Sequence, residues 1–266
     1  MKAGMKTLTA YQVATVRILT AAIVLLPFAA KAIKNIERNK ISYVILSGLF
    51  GSSFPAYLYC IAETRIDSSL AAILNSLTPI FTIIIGVSFF KFKASPKKII
   101  GVIIGFIGLV LLLFATKEKI YFNDILYSLL VVMATVSYAL NVNIVSHYLH
   151  NTSSLQIASL AFSFLLIPAL LILIVTGYFD LPLLNTANFT STLAAVTLGI
   201  IGTAIASVLF YMLVKKEGPL FSSLVTYGIP VIAVVWGFIY GEHITFAEIG
   251  CLAIILCGVC IVNLSK

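Results

Sequence analysis

Long runs of apolar residues dominate the sequence, and short polar stretches separate them. The runs are continuous rather than alternating, and most reach about 18 to 25 residues, the length of a helix that crosses a bilayer. Because lipid offers no hydrogen-bond partners, only helices and closed barrels cross it, and continuous runs favour helices. We therefore predict an all-α polytopic membrane protein with nine spans, called A to I: 8–30, 41–62, 68–90, 98–115, 123–147, 154–176, 190–214, 219–240 and 245–264.

A repeat is visible within this pattern, because residues 48–86 and 199–237 align without a gap at an offset of 151 residues. All three glycines of the first stretch meet a glycine in the second. A chance likeness between two membrane hairpins is the alternative, since any two apolar segments share residues. A constant glycine register favours an internal repeat. The identical pairs are Gly48/Gly199, Gly51/Gly202, Leu58/Leu209, Pro79/Pro230 and Gly86/Gly237.

The repeat extends to neighbouring spans and leaves one span without a counterpart. Spans B, C and D map on G, H and I, and span A maps less clearly on F, where AYQVAT (10–15) resembles SLQIAS (154–159). The mate of span E would precede Met1. We therefore expect two five-helix repeats, the first at 1–116 with four helices and the second at 117–266 with five. A first helix is then missing from this chain, unless the protein has nine helices by nature.

The distribution of basic residues predicts the orientation. Eleven Lys and Arg residues lie in loops or termini on one side of the predicted spans and five on the other, while Arg17 lies inside span A. Cytoplasmic loops carry the excess, so the C-terminus should be cytoplasmic and Met1 outside. The loop 91–98 holds four lysines and its mate at 241–245 holds none, as expected if the two repeats are inverted. Inverted repeats are typical of secondary transporters.

Composition agrees with a membrane protein and limits its chemistry. Hydrophobic residues form 61% of the chain and charged residues 10%, against about half and a quarter in soluble domains. The net charge of +8 belongs to the loops, so we expect no nucleic-acid partner. The carboxylates and histidines lie at span ends, which leaves no metal-ligand cluster, no cofactor motif and no catalytic arrangement, and does not support proton coupling. The four cysteines lie in apolar runs, where a packing role is expected: Cys60, Cys251, Cys257 and Cys260.

Three short motifs resemble the drug/metabolite transporter superfamily, EamA type. They are L-x-P-x-x-T-x-x-x-G at Leu77–Gly86, its echo P-x-x-A-x-x-x-G at Pro230–Gly237, and G-E-H-I-T-x-x-E-I-G at Gly241–Gly250. In that family each half ends in a proline-bearing helix, an acidic turn and a glycine-bearing helix. The first copy departs from the pattern, since Lys91 and Lys93 stand where the second copy has Glu242. The resemblance implies a transporter with a central cavity, and by comparison with the family we expect its first helix to be missing from this chain.

Arg17 is the most informative candidate for a binding site. A charge inside a span costs about 3 kcal/mol or more unless it faces a cavity, pairs or reaches the headgroups. If it lines a cavity, it favours a solute with a carboxylate or a phosphate. Snorkelling to the outer headgroups is the alternative.

A second group of candidates surrounds the two repeated prolines. Asn75, Thr78 and Pro79 share one face of span C, and Pro79 and Pro230 each free a backbone carbonyl, so both are predicted hinges. A polar site between the repeats is one interpretation, and interhelical packing is the other. Further candidates for solute binding are Tyr57, Tyr138, Asn141 and Tyr227.

The sequence therefore predicts a permease of the plasma membrane rather than an enzyme. We expect it to import or export a small organic metabolite, such as an amino acid or a related solute, by alternating access. Its partners are then the lipid bilayer and the solute, and a homodimer is left open. Spans B, C, E, G and H would line the pathway, and D and I would form an outer pair packed through glycines. The alternative is a membrane scaffold or accessory protein that transports nothing.

Overall fold

A computed structural model describes residues 3–66, 68–115, 125–183, 185–229, 232 and 245–264. These residues form helices and connecting turns, with no strand among them. The all-helical class is thereby confirmed. The helices are α1 (Ala10–Asn35), α2 (Ile41–Gly48), α3 (Phe54–Ala62), α4 (Ser68–Asn75), α5 (Thr78–Phe90), α6 (Pro96–Ala115), α7 (Ile125–Tyr148), α8 (Ser154–Val175), α9 (Thr186–Gly199), α10 (Ala206–Ser223) and α11 (Phe246–Leu264).

The helices confirm that the protein belongs in a membrane. Within the described part of the chain, six helical stretches are long and apolar enough to cross a bilayer by length and composition. The count of nine spans stays a prediction. The six stretches are Ala10–Asn35, Arg38–Ala62, Ile125–Tyr148, Ser154–Val175, Thr186–Tyr227 and Phe246–Leu264.

Some predicted spans are single helices and others are interrupted. Spans A, D, E, F and I correspond to α1, α6, α7, α8 and α11, and α1 runs on to Asn35. Span C is broken, because α4 ends at Asn75 and α5 begins at Thr78. The interruption has a local cause, since proline lacks the N–H that would continue the helix and is tolerated in a first turn. Span H begins inside α10, and its later part, including Pro230, lies outside the described residues.

Spans B and G each contain one turn of π-helix. Leu49–Ser53 separates α2 from α3, and Ile200–Ile205 separates α9 from α10. The two segments begin 151 residues apart, which is the offset of the sequence repeat. A π turn inserts one extra residue and frees backbone carbonyls, and such turns often mark functional positions.

The helices α1 and α8 form the centre of the bundle and begin in the same way. In α1 the backbone N–H of Thr9 donates to Gln12 Oε1 at 2.9 Å, and in α8 that of Ser153 donates to Gln156 Oε1 at 3.1 Å. Both are capping boxes, in which the side chain at N3 satisfies an orphan N–H at the helix start. The offset of 144 residues is the one that places AYQVAT on SLQIAS.

Repeated glycines explain how closely the central helices approach. A Cβ at Gly48 would lie 3.1 Å from the carbonyl oxygen of Ala161 on α8, and one at Gly199 would lie 2.8 Å from the carbonyl oxygen of Arg17 on α1. Arg17 and Ala161 are equivalent at the offset of 144 residues. Both contacts therefore join equivalent positions, with the first and second copies exchanged.

The helices α6 and α11 form a pair away from this centre. A Cβ at Gly258 would lie 2.5 Å from the backbone nitrogen of Gly105 and 2.6 Å from the carbonyl oxygen of Gly101. Only glycine permits such backbone contact, and small residues at crossing points are how membrane helices associate. The predicted packing of spans D and I through glycines is confirmed.

Candidate functional site

Arg17 is bound inside the helix bundle. It is the eighth residue of α1, about 10 Å along the helix axis, and its side chain is half-buried. Its Nε donates to Thr203 Oγ1 at 2.5 Å. The Thr203 hydroxyl in turn donates to the carbonyl oxygen of Leu198 at 3.2 Å, five residues earlier and near the end of α9. The guanidinium is thus held against the second copy, and this geometry favours the interior position over snorkelling.

Two aromatic residues extend the site from Arg17. Tyr138 on α7 lies within electrostatic reach of the guanidinium of Arg17. Tyr59 on α3 stacks on Tyr138, with ring centroids 6.1 Å apart and an interplanar angle of 29°. The Tyr59 hydroxyl is buried and has no hydrogen-bond partner in the part of the chain that the structure describes. We call Arg17, Tyr138 and Thr203 the Arg17 cluster.

Tyr57 links α3 to α1 beside this cluster. Its hydroxyl lies 2.9 Å from Thr15 Oγ1, and the Thr15 hydroxyl donates to the carbonyl oxygen of Tyr11 at 2.6 Å. Since threonine has a single hydroxyl proton, Tyr57 is the donor to Thr15. Tyr57 shares a face of α3 with Cys60, whose thiol is within electrostatic reach of Arg17.

Asn141 lies one helical turn from Tyr138 on the same face of α7. It is buried, and its Oδ1 accepts from the Ser47 hydroxyl of α2 at 2.7 Å. The Ser47 oxygen lies 3.0 Å from the hydroxyl of Tyr211 on α10. Gly51 packs directly against the side-chain amide of Asn141, since a Cβ at Gly51 would lie 2.4 Å from Asn141 Nδ2. This second polar network joins three helices and continues the Arg17 cluster along α7.

Asn75, Thr78 and Pro79 form the break between α4 and α5 rather than part of the Arg17 cluster. The Thr78 hydroxyl donates to the carbonyl oxygen of Asn75 at 2.6 Å and lies 3.3 Å from its Oδ1. That carbonyl would normally pair with the N–H four residues on, and position 79 is a proline without one. The Thr78 hydroxyl therefore donates to the carbonyl that Pro79 frees, and this side-chain hydrogen bond stays within the break.

Tyr227 is placed differently from the expectation of a solute ligand. Its side chain is buried, its hydroxyl donates to the carbonyl oxygen of Val102 on α6 at 3.0 Å, and its ring leaves no room for a Cβ at Gly105. The residue ends a 3₁₀ turn, Leu224–Tyr227, whose residue spacing differs from that of an α-helix. In this conformation Tyr227 packs the turn after α10 against α6.

Sequence reasoning found Arg17 and Tyr138 but missed their neighbours. Thr203 follows Gly202 in the glycine register, which marks a close helix contact but not a π turn. Tyr59 lies two residues after Tyr57 in an apolar run, and nothing in the run distinguishes the two hydroxyls. Ser47 and Tyr211 lie 164 residues apart and meet only where α2 and α10 pack, so no spacing in the chain relates them.

The sequence of this chain matches that of a known protein family. Residues 1–114 and 125–264 match the EamA-like transporter family. This chain belongs to the EamA-like transporter family. It is therefore a membrane transporter by family, surrounded by lipid, and the resemblance to the drug/metabolite transporter superfamily is confirmed.

Two relatives and one solved structure agree with this assignment. An uncharacterized transporter of Archaeoglobus fulgidus is 27% identical over 234 residues, which is 86% of this EamA-like chain and 80% of the relative. An uncharacterized transporter of Clostridium kluyveri is 26% identical over 264 residues, which is 96% of this chain and 84% of the relative. A solved crystal structure with 18% identity covers 99% of this chain, is itself covered to 90%, and has a TM-score of 0.75. At that identity the last likeness shows the fold alone.

Proposed function

We propose that this EamA-like protein moves a small organic solute, such as an amino acid or a related metabolite, across the plasma membrane by alternating access. The observation that carries the proposal is the hydrogen bond between Arg17 of α1 and Thr203 of the second π segment. It places a cation and several hydroxyls inside the bundle, where helices of the two proposed repeats meet. Solute sites of secondary transporters lie at such interfaces, near non-helical turns.

The proposed division into repeats at 1–116 and 117–266 has support from local structure. The capping boxes of α1 and α8 and the two π segments recur at the offsets of the sequence alignment. The family matches, at 1–114 and 125–264, fall within the same two ranges. With the copies inverted, the C-terminus is cytoplasmic and Met1 lies outside.

Movement between the two access states needs places where helices bend. The break at Asn75–Pro79 is one proposed hinge, since its backbone hydrogen bonds are already replaced by the Thr78 hydroxyl. A second bend lies at Gly218, which has φ of 85° and interrupts the helical geometry of α10. Residues of this kind absorb changes in φ and ψ at low cost.

Flux measurements test the proposal against the scaffold alternative. The chain is reconstituted in vesicles, alone and with an added first helix, and uptake of a labelled mixture of amino acids and other small metabolites is compared with that of protein-free vesicles. We expect protein-dependent flux of at least one solute. If neither form moves any of the mixture, the protein is a scaffold rather than a transporter.

Orientation has a separate test. The variant Lys93→Cys should react with an impermeant thiol reagent only after intact cells are opened, because the loop 91–98 is proposed to be cytoplasmic. The unchanged chain, with its four native cysteines, is the background control. Labelling of Lys93→Cys from outside would reverse the proposed topology.

A further inference from the structure

A small cavity lies at the end of the bundle where α6 begins and α11 ends. It has a volume of about 190 Å³. Four segments line it: the turn after α5, the first turn of α6, the bend of α10 around Gly218, and the last turn of α11. Each of these segments lies at the end of an apolar span or between two spans. The cavity is therefore at the level of the lipid headgroups rather than in the hydrocarbon core.

One side of this cavity is apolar, and the backbone holds it in place. Lys91 ends α5 in the left-handed conformation, with φ of 53°, and the N–H of Phe92 then donates to the carbonyl oxygen of Gly86 at 2.9 Å. A cap of this kind folds the chain back over the end of the helix. The rings of Phe92 and Phe221 both line the cavity and pack against the hydrophobic cluster of α6 and α11. This side can contact the carbon chain of a lipid.

The ammonium group of Lys98 is on the polar side of the cavity. The side chain is half-buried, and it forms neither an ion pair nor a hydrogen bond with any other residue that the structure describes. Its backbone N–H donates to Ser95 Oγ at 3.4 Å, at the start of α6. Asn263 adds a side-chain amide to the same wall. A half-buried cation without a partner favours an anionic ligand.

The charges along the lining segments are predominantly positive. Among the described residues within two positions of a lining residue there are six lysines and one carboxylate, that of Glu217. Glu217 has an interaction of its own, and Lys215 donates to the carbonyl oxygen of Thr152 at 2.8 Å. The lysines therefore outweigh the carboxylate even when it is ionised. They are Lys91, Lys93, Lys97, Lys98, Lys215 and Lys216.

We propose that this cavity binds the phosphodiester of an anionic phospholipid. Lys98 pairs with the phosphate, and Phe92 and Phe221 contact the glycerol and the first acyl carbons. Basic pockets between membrane helices are typical headgroup sites, and the surrounding lysines disfavour headgroups that carry an ammonium of their own. The apolar wall and the depth of the cavity favour a lipid over a soluble phosphate compound. The inference depends on the membrane location of the chain and not on solute transport, so absence of flux would leave it standing.

Binding of matched lipids tests the proposal. The full chain is purified in an uncharged detergent and mixed with phosphatidylglycerol, with phosphatidylcholine of the same acyl chains, or with glycerol 3-phosphate. Retained lipid is counted by native mass spectrometry, and the melting temperature is measured. We expect phosphatidylglycerol to bind at least about fivefold more tightly than phosphatidylcholine, since one lysine near an anionic headgroup contributes about 1 kcal/mol. Equal binding of the two lipids, or equal binding of glycerol 3-phosphate, overturns the proposal.

Variants separate the cavity from general attraction by a basic surface. Lys98→Gln should lose on the order of 10-fold in affinity for phosphatidylglycerol, and Lys98→Arg should retain it. Lys34→Gln is the matched control, because it makes the same charge change on the exposed last turn of α1. Without lipid, Lys98→Gln should keep the parent's melting temperature, since the ammonium has no described partner to lose. Equal losses at Lys34 and Lys98 would contradict the site.

A photoreactive phosphatidylglycerol locates the site without any substitution. After irradiation and digestion, we expect the label on peptides that contain Phe92 or Phe221. Excess unlabelled phosphatidylglycerol should remove this label, and excess phosphatidylcholine should not. Label found only outside the four lining segments would overturn the proposal, even if Lys98→Gln did not fold.

Discussion

Arg17 and Thr203 are 186 residues apart in the sequence, and a hydrogen bond from the guanidinium joins them. The bond links a straight helix to a π segment, and it uses the one N–H of arginine that lies on the stem side of the fork. Thr203 also donates to the carbonyl oxygen of Leu198 just before the π segment, so a single hydroxyl orders both the turn and the cation.

Replacing this hydroxyl tests its double role. Thr203→Val keeps the shape but removes the acceptor for Arg17 and the donor to Leu198. We expect the protein to lose about 1–3 kcal/mol of stability, since a buried donor is left unpaired. Solute flux should fall with it, because Arg17 is no longer held in place. Thr203→Ser, which retains the hydroxyl, should recover most of the stability and most of the flux. A Thr203→Val variant as stable as the parent would contradict the double role of the hydroxyl.

The crossing of α9 and α1 depends on the absence of a side chain at Gly199. A Cβ there would lie 2.8 Å from the carbonyl oxygen of Arg17. Gly199→Ala should therefore force the helices apart and cost about 1–3 kcal/mol, seen as a lower melting temperature in nanodiscs. Gly250→Ala is the matched control, because nothing lies within 4 Å of the added Cβ on α11. If both substitutions lowered the melting temperature equally, the close approach of α9 and α1 at Gly199 would not contribute to stability.

The break before Pro79 depends on the Thr78 hydroxyl. Thr78→Val leaves the half-buried Asn75 carbonyl unpaired, so we expect a loss of about 1–3 kcal/mol. Thr197→Val removes a similar hydroxyl-to-carbonyl bond, from Thr197 to the carbonyl oxygen of Leu193 at 2.8 Å on the exposed face of α9. That carbonyl is in a regular helix, so its loss should cost little. If the two variants had the same melting temperature, the result would contradict the role of the Thr78 hydroxyl in the break.

The two capping boxes should differ in strength although they are equivalent in the repeat. Gln12 Nε2 also donates to the carbonyl oxygen of Thr176, beyond the end of α8, at 2.9 Å, and Gln12 is buried. Gln12→Ala should therefore cost about 1 kcal/mol more than Gln156→Ala, whose cap bond is exposed. Unfolding of the two variants by denaturant in detergent provides the comparison. A larger loss at Gln156 would refute it.

Helix caps and helix breaks can be predicted from the sequence, because each depends only on residues that are close together in the chain. The patterns T-x-x-Q at Thr9 and S-x-x-Q at Ser153 are capping boxes that the sequence analysis could have identified. Pro79 predicted a freed carbonyl, and the structure places a helix break at that point. The π segments could not be predicted in this way. The extra residue that a π turn inserts is recognised only when the helix is seen packed against its neighbour.

Apolar runs by themselves determined that this protein is an all-helical membrane protein, because the bilayer imposes length and hydrophobicity on every span. The resemblance to the EamA type rested on three short motifs around the repeated prolines and glycines. The apolar runs also singled out Arg17, since a charge inside a span is costly wherever it lies. The tertiary structure alone decided its neighbours. It brought Thr203 to the cation and directed Tyr227 toward α6. Contacts between helices depend on turn geometry and backbone approach, which one-dimensional spacing does not specify.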